Sequence, residues 1–225
     1  AKLVANSVTA AKFNADVISG QTALAETPAD TDELLLSDAG VLKRVDFSHL
    51  KGGGMYEFIS QTTVSSNTTN VDITSLSSSF EDFLFSIQGL KLENDGEKVY
   101  MQLEQGGSFV TSGSNYTFGG QGYGDSNNSQ TLDSGSANYI ELQPNIGNAS
   151  QESYCAEVIL YNAQSTSLDP VVTFKGGGVD GNRKMGSFVG AGSLKSVGAI
   201  TGVRFSAVNG DIASAKIAVY GRKRA

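Results

Sequence analysis

Residues 80–90, FEDFLFSIQGL, alternate between apolar and polar side chains, which places Phe83, Phe85 and Ile87 on one side of an extended chain. A period of two residues is typical of a β-strand that buries one face, whereas a helix repeats its apolar positions every three or four residues. This stretch therefore predicts a strand that contributes to a hydrophobic core.

The same alternation recurs along most of the chain after residue 54. Together with the first stretch, it predicts about eight strands separated by turn-rich loops, with no amphipathic helix among them. Short strands at this spacing predict an all-β fold, an antiparallel β-sandwich of jelly-roll type. The further predicted strands are 55-MYEFISQTTV-64, 97-EKVYMQLEQ-105, 137-ANYIELQ-143, 153-SYCAEVILY-161, 170-PVVTF-174, 198-GAITGVRFSAV-208 and 211-DIASAKIAVYG-221.

The composition fits such a fold. The chain has 225 residues, of which 39% are hydrophobic, 27 are glycine and only 3 are proline, which is enough apolar material for a packed core. Its one cysteine, Cys155, cannot form an intrachain disulfide, and we expect its side chain to be buried within an alternating strand.

No apolar run is long enough to cross a membrane, so we expect no membrane span. Residues 1–20 lack the continuous apolar run of a signal peptide. We therefore expect synthesis in a cytoplasm.

Residues 106–136 predict a long loop rich in Gly, Ser and Asn. A loop of this length in a compact domain is usually functional or mobile. Aromatic rings beside small polar groups suit the binding of a sugar ring, although the same aromatic residues would also suit a short strand that fills the core. The candidate ligand residues are Tyr116, Phe118, Tyr123, Asp125 and Asn127.

A β-hairpin is predicted over residues 33–47, where 33-ELLLS-37 and 41-VLKRVDF-47 flank a turn at 38-DAG-40. Gly40 suits the positive φ of a bulged turn. A hairpin of two strands is only marginally stable in water, so this one needs a partner surface.

The residues before the hairpin also lack a core of their own. Apolar side chains recur there at spacings of three and four, which is compatible with a short helix or with an extended arm lying on a partner. We therefore predict an N-terminal attachment and oligomerisation module at 1–51, a glycine hinge at 52–54 and a β-sandwich at 55–225. The candidate attachment residues are Val4, Val8, Ile18, Leu34, Leu36, Val41 and Val45.

Charge is unevenly distributed along the chain. The net charge is −2 over residues 1–51, −12 over 52–169 and +7 over 170–225. Complementary segments of this kind pair either between strands of one sheet or across a subunit interface. The basic residues at 222–224 lie in no nucleic-acid-binding motif, so we expect no nucleic-acid partner.

We find no catalytic motif and expect no enzymatic activity. His49 is the only histidine, it lies in the N-terminal module, and no G-x-S-x-G sequence is present. One histidine and one cysteine cannot supply the usual zinc ligands, so we expect no metal.

A G-x-G-x-x-G pattern at Gly176, Gly178 and Gly181 follows the predicted strand 170–174. Dinucleotide binding requires a helix after these glycines, and residues 182–196 are interrupted by glycine. The pattern therefore predicts a turn between strands and no cofactor.

Residues 28–53, PADTDELLLSDAGVLKRVDFSHLKGG, resemble a segment that recurs in tail-fibre and other virion proteins of tailed bacteriophages. The matching features are an acidic turn, a short apolar strand, an Asp-x-Gly turn and a second strand with Lys or Arg. The C-terminal run 198–225 also looks like the closing strands of phage β-sandwich modules. The residues that carry the resemblance are Pro28, Asp30, Asp32, Leu35, Leu36, Asp38, Gly40, Leu42, Lys43 and Arg44, with Ile217, Val219, Tyr220 and Gly221 near the C-terminus.

This resemblance implies a non-enzymatic virion protein, made in the host bacterial cytoplasm and assembled as a homotrimer. The N-terminal module would dock on another virion protein, and the sandwich would face outward as a tail fibre that contacts the host surface, with a surface glycan as a possible partner. Two alternatives are a capsid-decorating or head-fibre protein that stabilises the shell, and a stand-alone carbohydrate-binding module.

Overall fold

The computed structural model describes residues 22–50, 55–124 and 129–223. The chain divides into two compact units, Ala1–Gly53 and Gly54–Ala225, and the boundary between them falls within the glycine run 52–54. The predicted helix or arm at residues 1–20, with Val4, Val8 and Ile18, lies outside the described residues.

The first unit contains the predicted hairpin. Strands β1 (Glu33–Asp38) and β2 (Val41–Asp46) pair antiparallel, and a short 3-10 turn, Phe47–His49, follows. The loop consists of two residues, Ala39 and Gly40, both with positive φ, so the turn is not the bulged type that the sequence predicted. Positive φ at both central residues matches the right-handed twist of the strands and closes the hairpin tightly.

The second unit is an antiparallel β-sandwich, as predicted, with thirteen strands among its described residues instead of about eight. The strands are β3 (Glu57–Val64), β4 (Asn70–Thr74), β5 (Phe80–Leu92), β6 (Glu97–Gln105), β7 (Ser108–Phe109), β8 (Tyr116–Gly124), β9 (Ser129–Ala137), β10 (Ile140–Ile146), β11 (Tyr154–Tyr161), β12 (Val171–Val179), β13 (Met185–Leu194), β14 (Ile200–Ala207) and β15 (Ile212–Lys223).

The strands form two unequal sheets. The larger has the order β3-β15-β5-β11-β12-β13-β8-β9, and the smaller has the order β10-β6-β14-β4 with β7 added to β6. The two sheets have eight and five strands, whereas a jelly roll has eight strands in total. The jelly-roll prediction is therefore not confirmed.

One hydrophobic core lies between the sheets. In β5, Phe83, Phe85 and Ile87 are fully buried, which confirms the alternation seen in residues 80–90. The ring of Phe85 packs edge-on against that of Phe205 in the smaller sheet, with their centroids 5.8 Å apart. Alternate residues of β5, β11, β12 and β15 supply the layer between the sheets, whereas β3 at the edge of the larger sheet is mostly exposed.

Residues 106–136 are not the long loop that we predicted. The structure places β7, β8 and most of β9 in this stretch, and β8 pairs with β13 and β9. Likewise, 175-KGGGV-179 is the second half of β12 rather than a turn, and residues 185–194 form β13. Glycine suggested loops in all these segments, but here it accommodates large side chains of neighbouring strands.

Candidate functional site

Four of the predicted attachment residues lie on one face of the hairpin. Leu34 is directly opposite Val45 in the register, and Leu36 and Val41 are an even number of residues from them along their strands. The side chains of Leu34, Leu36 and Val41 are 45–58% exposed, and Val45 is half-buried. We call these four residues the hairpin face; Lys43 and Asp38 lie on the same side, opposite Leu36 and Val41 in the register, and no other described residue of this unit buries the three exposed apolar side chains.

The hairpin carries two cross-strand ion pairs, one on the hairpin face and one on the opposite side. Lys43 contacts the carboxylate of Asp38, and Arg44 donates a hydrogen bond to Glu33 at 2.5 Å. All four side chains are largely exposed to water, where such pairs contribute roughly 0–1 kcal/mol. The ion pairs therefore cannot replace the missing core, and the hairpin depends on burial of its apolar face.

The predicted ligand residues of β8 point in opposite directions. Tyr116 is fully buried and Phe118 packs against the core, so neither ring is available to a ligand. Tyr123, seven residues beyond Tyr116, is 61% exposed on the outer face of the larger sheet. An odd separation along a strand reverses the side chain's direction, which explains the split. Asp125 and Asn127 lie outside the described residues.

The hydroxyl of Tyr116 has a structural role. It accepts a hydrogen bond from the backbone N–H of Leu103 at 2.8 Å and donates one to the carbonyl oxygen of Val110 at 3.0 Å. Burial raises the pKa of Tyr116 from 10.0 to about 12, because ionisation inside the protein would leave a poorly solvated charge.

This raised pKa predicts a specific loss of stability in alkali. Because the folded-state pKa of Tyr116 lies above the unfolded value, the contribution is complete below pH 10.0 and is lost as the pH rises through about 12. We expect Tyr116→Phe to lower the free energy of unfolding by about 1–2 kcal/mol near neutral pH. The difference between the two proteins should narrow in urea titrations between pH 10 and pH 12. A constant difference across this range would contradict the prediction.

A shallow cavity of about 270 Å³ surrounds the exposed ring of Tyr123. We call it the Tyr123 groove; its polar and apolar lining comes from β8, β12 and β13 on the outer face of the sheet. Lys175, at one side, forms an ion pair with Glu157 of β11 at 2.7 Å, and this hydrogen bond raises the pKa of the lysine. The lining residues are Gln121, Tyr123, Lys175, Gly176, Ser187, Phe188 and Val189, of which Phe188 turns its ring into the core.

Cys155 is exposed, not buried as the sequence suggested. Its neighbours Tyr154 and Ala156 face the core, and so the alternation of β11 turns Cys155 outward. Among the described residues, no three His, Cys, Asp or Glu side chains converge on a position that could hold a metal ion. The part of the chain that the structure describes also contains no helix long and apolar enough to cross a membrane.

Ion pairs within the sandwich join the basic C-terminal strands to acidic residues earlier in the chain. Arg204 of β14 forms two hydrogen bonds of 2.7 Å with Asp72 of β4, and Lys223 of β15 lies 2.8 Å from Glu57 of β3. Two further pairs of this kind are Arg222 with Asp82 and Lys175 with Glu157. Much of the charge asymmetry in the sequence is therefore satisfied within one chain.

Compared with known proteins, the chain matches no protein-family model and no curated protein. The hairpin face and the Tyr123 groove are thus the features from which a function must be inferred.

Proposed function

We propose that this protein is a non-enzymatic structural component of a tailed-bacteriophage particle. Residues 1–51 anchor it, as part of a homotrimer, to another virion protein, and the β-sandwich faces outward as a tail fibre that contacts the host surface. The resemblance of residues 28–53 to virion proteins supports this assignment.

The observation that carries the proposal is the exposed hairpin face. A two-stranded hairpin is marginal in water, and this one exposes three large apolar side chains on one side. The following unit, in contrast, has an extensive core of its own. An element that cannot bury its apolar side chains alone, followed in the chain by a self-sufficient domain, is suited to assembly.

Other copies of the chain are suitable partners for this face. Each hairpin carries acidic and basic side chains on both sides, Asp38 and Lys43 on the side of the hairpin face and Glu33, Asp46 and Arg44 on the other. Copies arranged around an axis would bring the Leu and Val side chains together, and the Lys43 and Asp38 charges on the same side of the hairpin would meet charges of opposite sign in the neighbouring copies.

We expect the purified chain to be a trimer, and Leu36→Ser to weaken it. Loss of a central apolar contact in each copy should raise the concentration for half-dissociation by at least about tenfold. Leu35→Ser is the matched control, because Leu35 is adjacent, 75% exposed and on the opposite side of β1. Light scattering after size-exclusion chromatography, over a dilution series, measures the mass. A monomeric parent protein, or equal effects of the two substitutions, would contradict self-assembly through this face.

Particle labelling tests the location. An antibody against the sandwich should bind purified phage particles when viewed by electron microscopy, and we expect the label at the tail. Label on the capsid would instead support a head-fibre or decorating role. Absence of the protein from purified particles would overturn the proposal.

A further inference from the structure

The Tyr123 groove combines exposed apolar side chains with a neighbouring glycine, which has no side chain to fill the surface. Tyr123, Met185 and Val189 are 57–62% exposed, although all three belong to well-paired strands. In the register, Tyr123 lies opposite Ser187, so that Met185 and Val189 are its two diagonal neighbours on β13. The three side chains are therefore neighbours on the outer face of the sheet.

Beyond Ser187, the next residue across the sheet is Gly177 of β12. A Cβ atom built on Gly177 would lie 3.0 Å from the carbonyl oxygen of Gly186 and 3.7 Å from the terminal methyl group of Met185. The surface between Tyr123 and β11 thus consists of the Ser187 hydroxymethyl group and the backbone of Gly177, over which the end of the Met185 side chain lies. A flat ligand can approach the Tyr123 ring from this side once the flexible Met185 side chain turns aside.

Polar groups surround this open area. Gln121 lies opposite Val189, and no described residue forms a hydrogen bond with its side-chain amide. The hydroxyl group of Ser187 is likewise without a hydrogen-bond partner among the described residues. The positive charge of Lys175 is balanced by the carboxylate of Glu157 at 2.7 Å. The groove therefore offers hydrogen-bond donors and acceptors but little net charge.

We propose that the Tyr123 groove binds a neutral saccharide. The apolar face of a pyranose ring stacks on Tyr123, and its hydroxyl groups bond to the Gln121 amide, the Ser187 hydroxyl and the Lys175 ammonium group. A charged sugar gains little, because Glu157 balances the lysine.

A protein partner fits this surface less well. Stable protein interfaces bury about 800 Å² per partner and involve roughly 20–30 residues on each side. The groove has five outward-facing lining side chains and a volume of about 270 Å³, which is below the roughly 300–1,000 Å³ typical of drug-sized ligand sites. One or two sugar rings match this size. The inference goes beyond the virion assignment and does not depend on it.

Binding can be tested with the full-length protein and a panel of probes. The probes are the methyl glycosides of glucose, galactose, mannose and their N-acetylated 2-amino forms, neutral di- to tetrasaccharides of the same sugars, and sialic acid as the acidic probe. Saturation-transfer NMR detects weak binding, and titration of ligand-induced shifts gives the dissociation constant. We expect at least one neutral probe to bind and sialic acid to bind more weakly.

Three substitutions localise the binding. Tyr123→Ala should weaken the affinity by about tenfold or more, whereas Tyr123→Phe should retain most of it because the ring remains. Phe58→Ala is the control, since Phe58 is 58% exposed on β3 at the far edge of the same sheet. It should leave binding unchanged.

No binding of any neutral probe by the parent protein would overturn the inference. So would an equal loss in Tyr123→Ala and Phe58→Ala, or a preference for sialic acid. These results are independent of the oligomeric state and of particle labelling, so failure of the saccharide site is distinguishable from failure of the proposed virion role.

Discussion

Replacing Arg222 with alanine should destabilise the sandwich by about 3 kcal/mol, because the substitution leaves a buried carboxylate without its positively charged partner. Asp82 is only 2% exposed. Its two oxygens accept hydrogen bonds from the Arg222 guanidinium group and, at 3.2 Å, from the backbone N–H of Asn162. Without Arg222, one weak backbone donor remains for a charge that is cut off from water. Urea unfolding, followed by circular dichroism at one fixed protein concentration, measures the loss.

The adjacent residue provides a matched control. Lys223 pairs with Glu57 at 2.8 Å, but both side chains are more than half exposed. Exposed pairs contribute roughly 0–1 kcal/mol, and so Lys223→Ala should have little effect. The double substitution Arg222→Ala with Asp82→Ala should lower the free energy of unfolding less than Arg222→Ala alone, since it also removes the unpaired buried charge. Equal losses for Arg222→Ala and Lys223→Ala would show that burial of Asp82 does not determine the cost.

These ion pairs could be anticipated from the sequence only in outline. The opposite net charges of residues 52–169 and 170–225 indicated complementary surfaces, but pairing within the chain and pairing between subunits remained equally possible. Strand order explains the pairs that form within the chain. Because β15 lies between β3 and β5, its basic side chains meet Glu57 and Asp82.

Local alternation was enough to predict most of the fold. Strands β5, β6 and β11 lie within two residues of their predicted bounds, since each buries alternate apolar side chains. Alternation fails where glycine replaces those side chains, as in β8 and β13. A strand of this kind is stabilised by aromatic rings from its neighbours, and that information is not local.

The candidate sites were likewise predictable only where residues close in sequence determine them. The hairpin face was predictable, because a hairpin is defined by residues close in sequence and its register fixes which side chains share a face. The ligand residues were predictable only in part, because the sequence is compatible both with a loop that binds a ligand and with a short strand that fills the core, and only a strand gives the direction of Tyr116 and Tyr123 a period. Recognition of β8 as a strand would have separated the buried ring from the exposed one.

Gly122→Ala should destabilise the protein by about 3 kcal/mol, although alanine is normally preferred to glycine in a strand. Gly122 faces the core opposite Phe188, whose ring lies over it. A Cβ atom at this position would lie 2.5 Å from the Phe188 ring and 2.5 Å from the carbonyl oxygen of Ser187. The backbone oxygen cannot move without distorting the pairing of β8 with β13. Relief of the clash requires either a shift of the strand or an unfavourable rotamer of Phe188.

Gly119, three residues earlier in β8, is the control for this effect. The nearest atom to a Cβ built there is the carbonyl oxygen of Leu132 at 4.0 Å, and the backbone is not in the left-handed region. Gly119→Ala should thus be neutral or stabilising by up to about 1 kcal/mol, because alanine restricts the unfolded chain. Urea midpoints of the two variants compared with the parent provide the measurement. Equal stability of Gly122→Ala and Gly119→Ala would mean that Phe188 can repack, and that the glycines of β8 are not required by the aromatic rings above them.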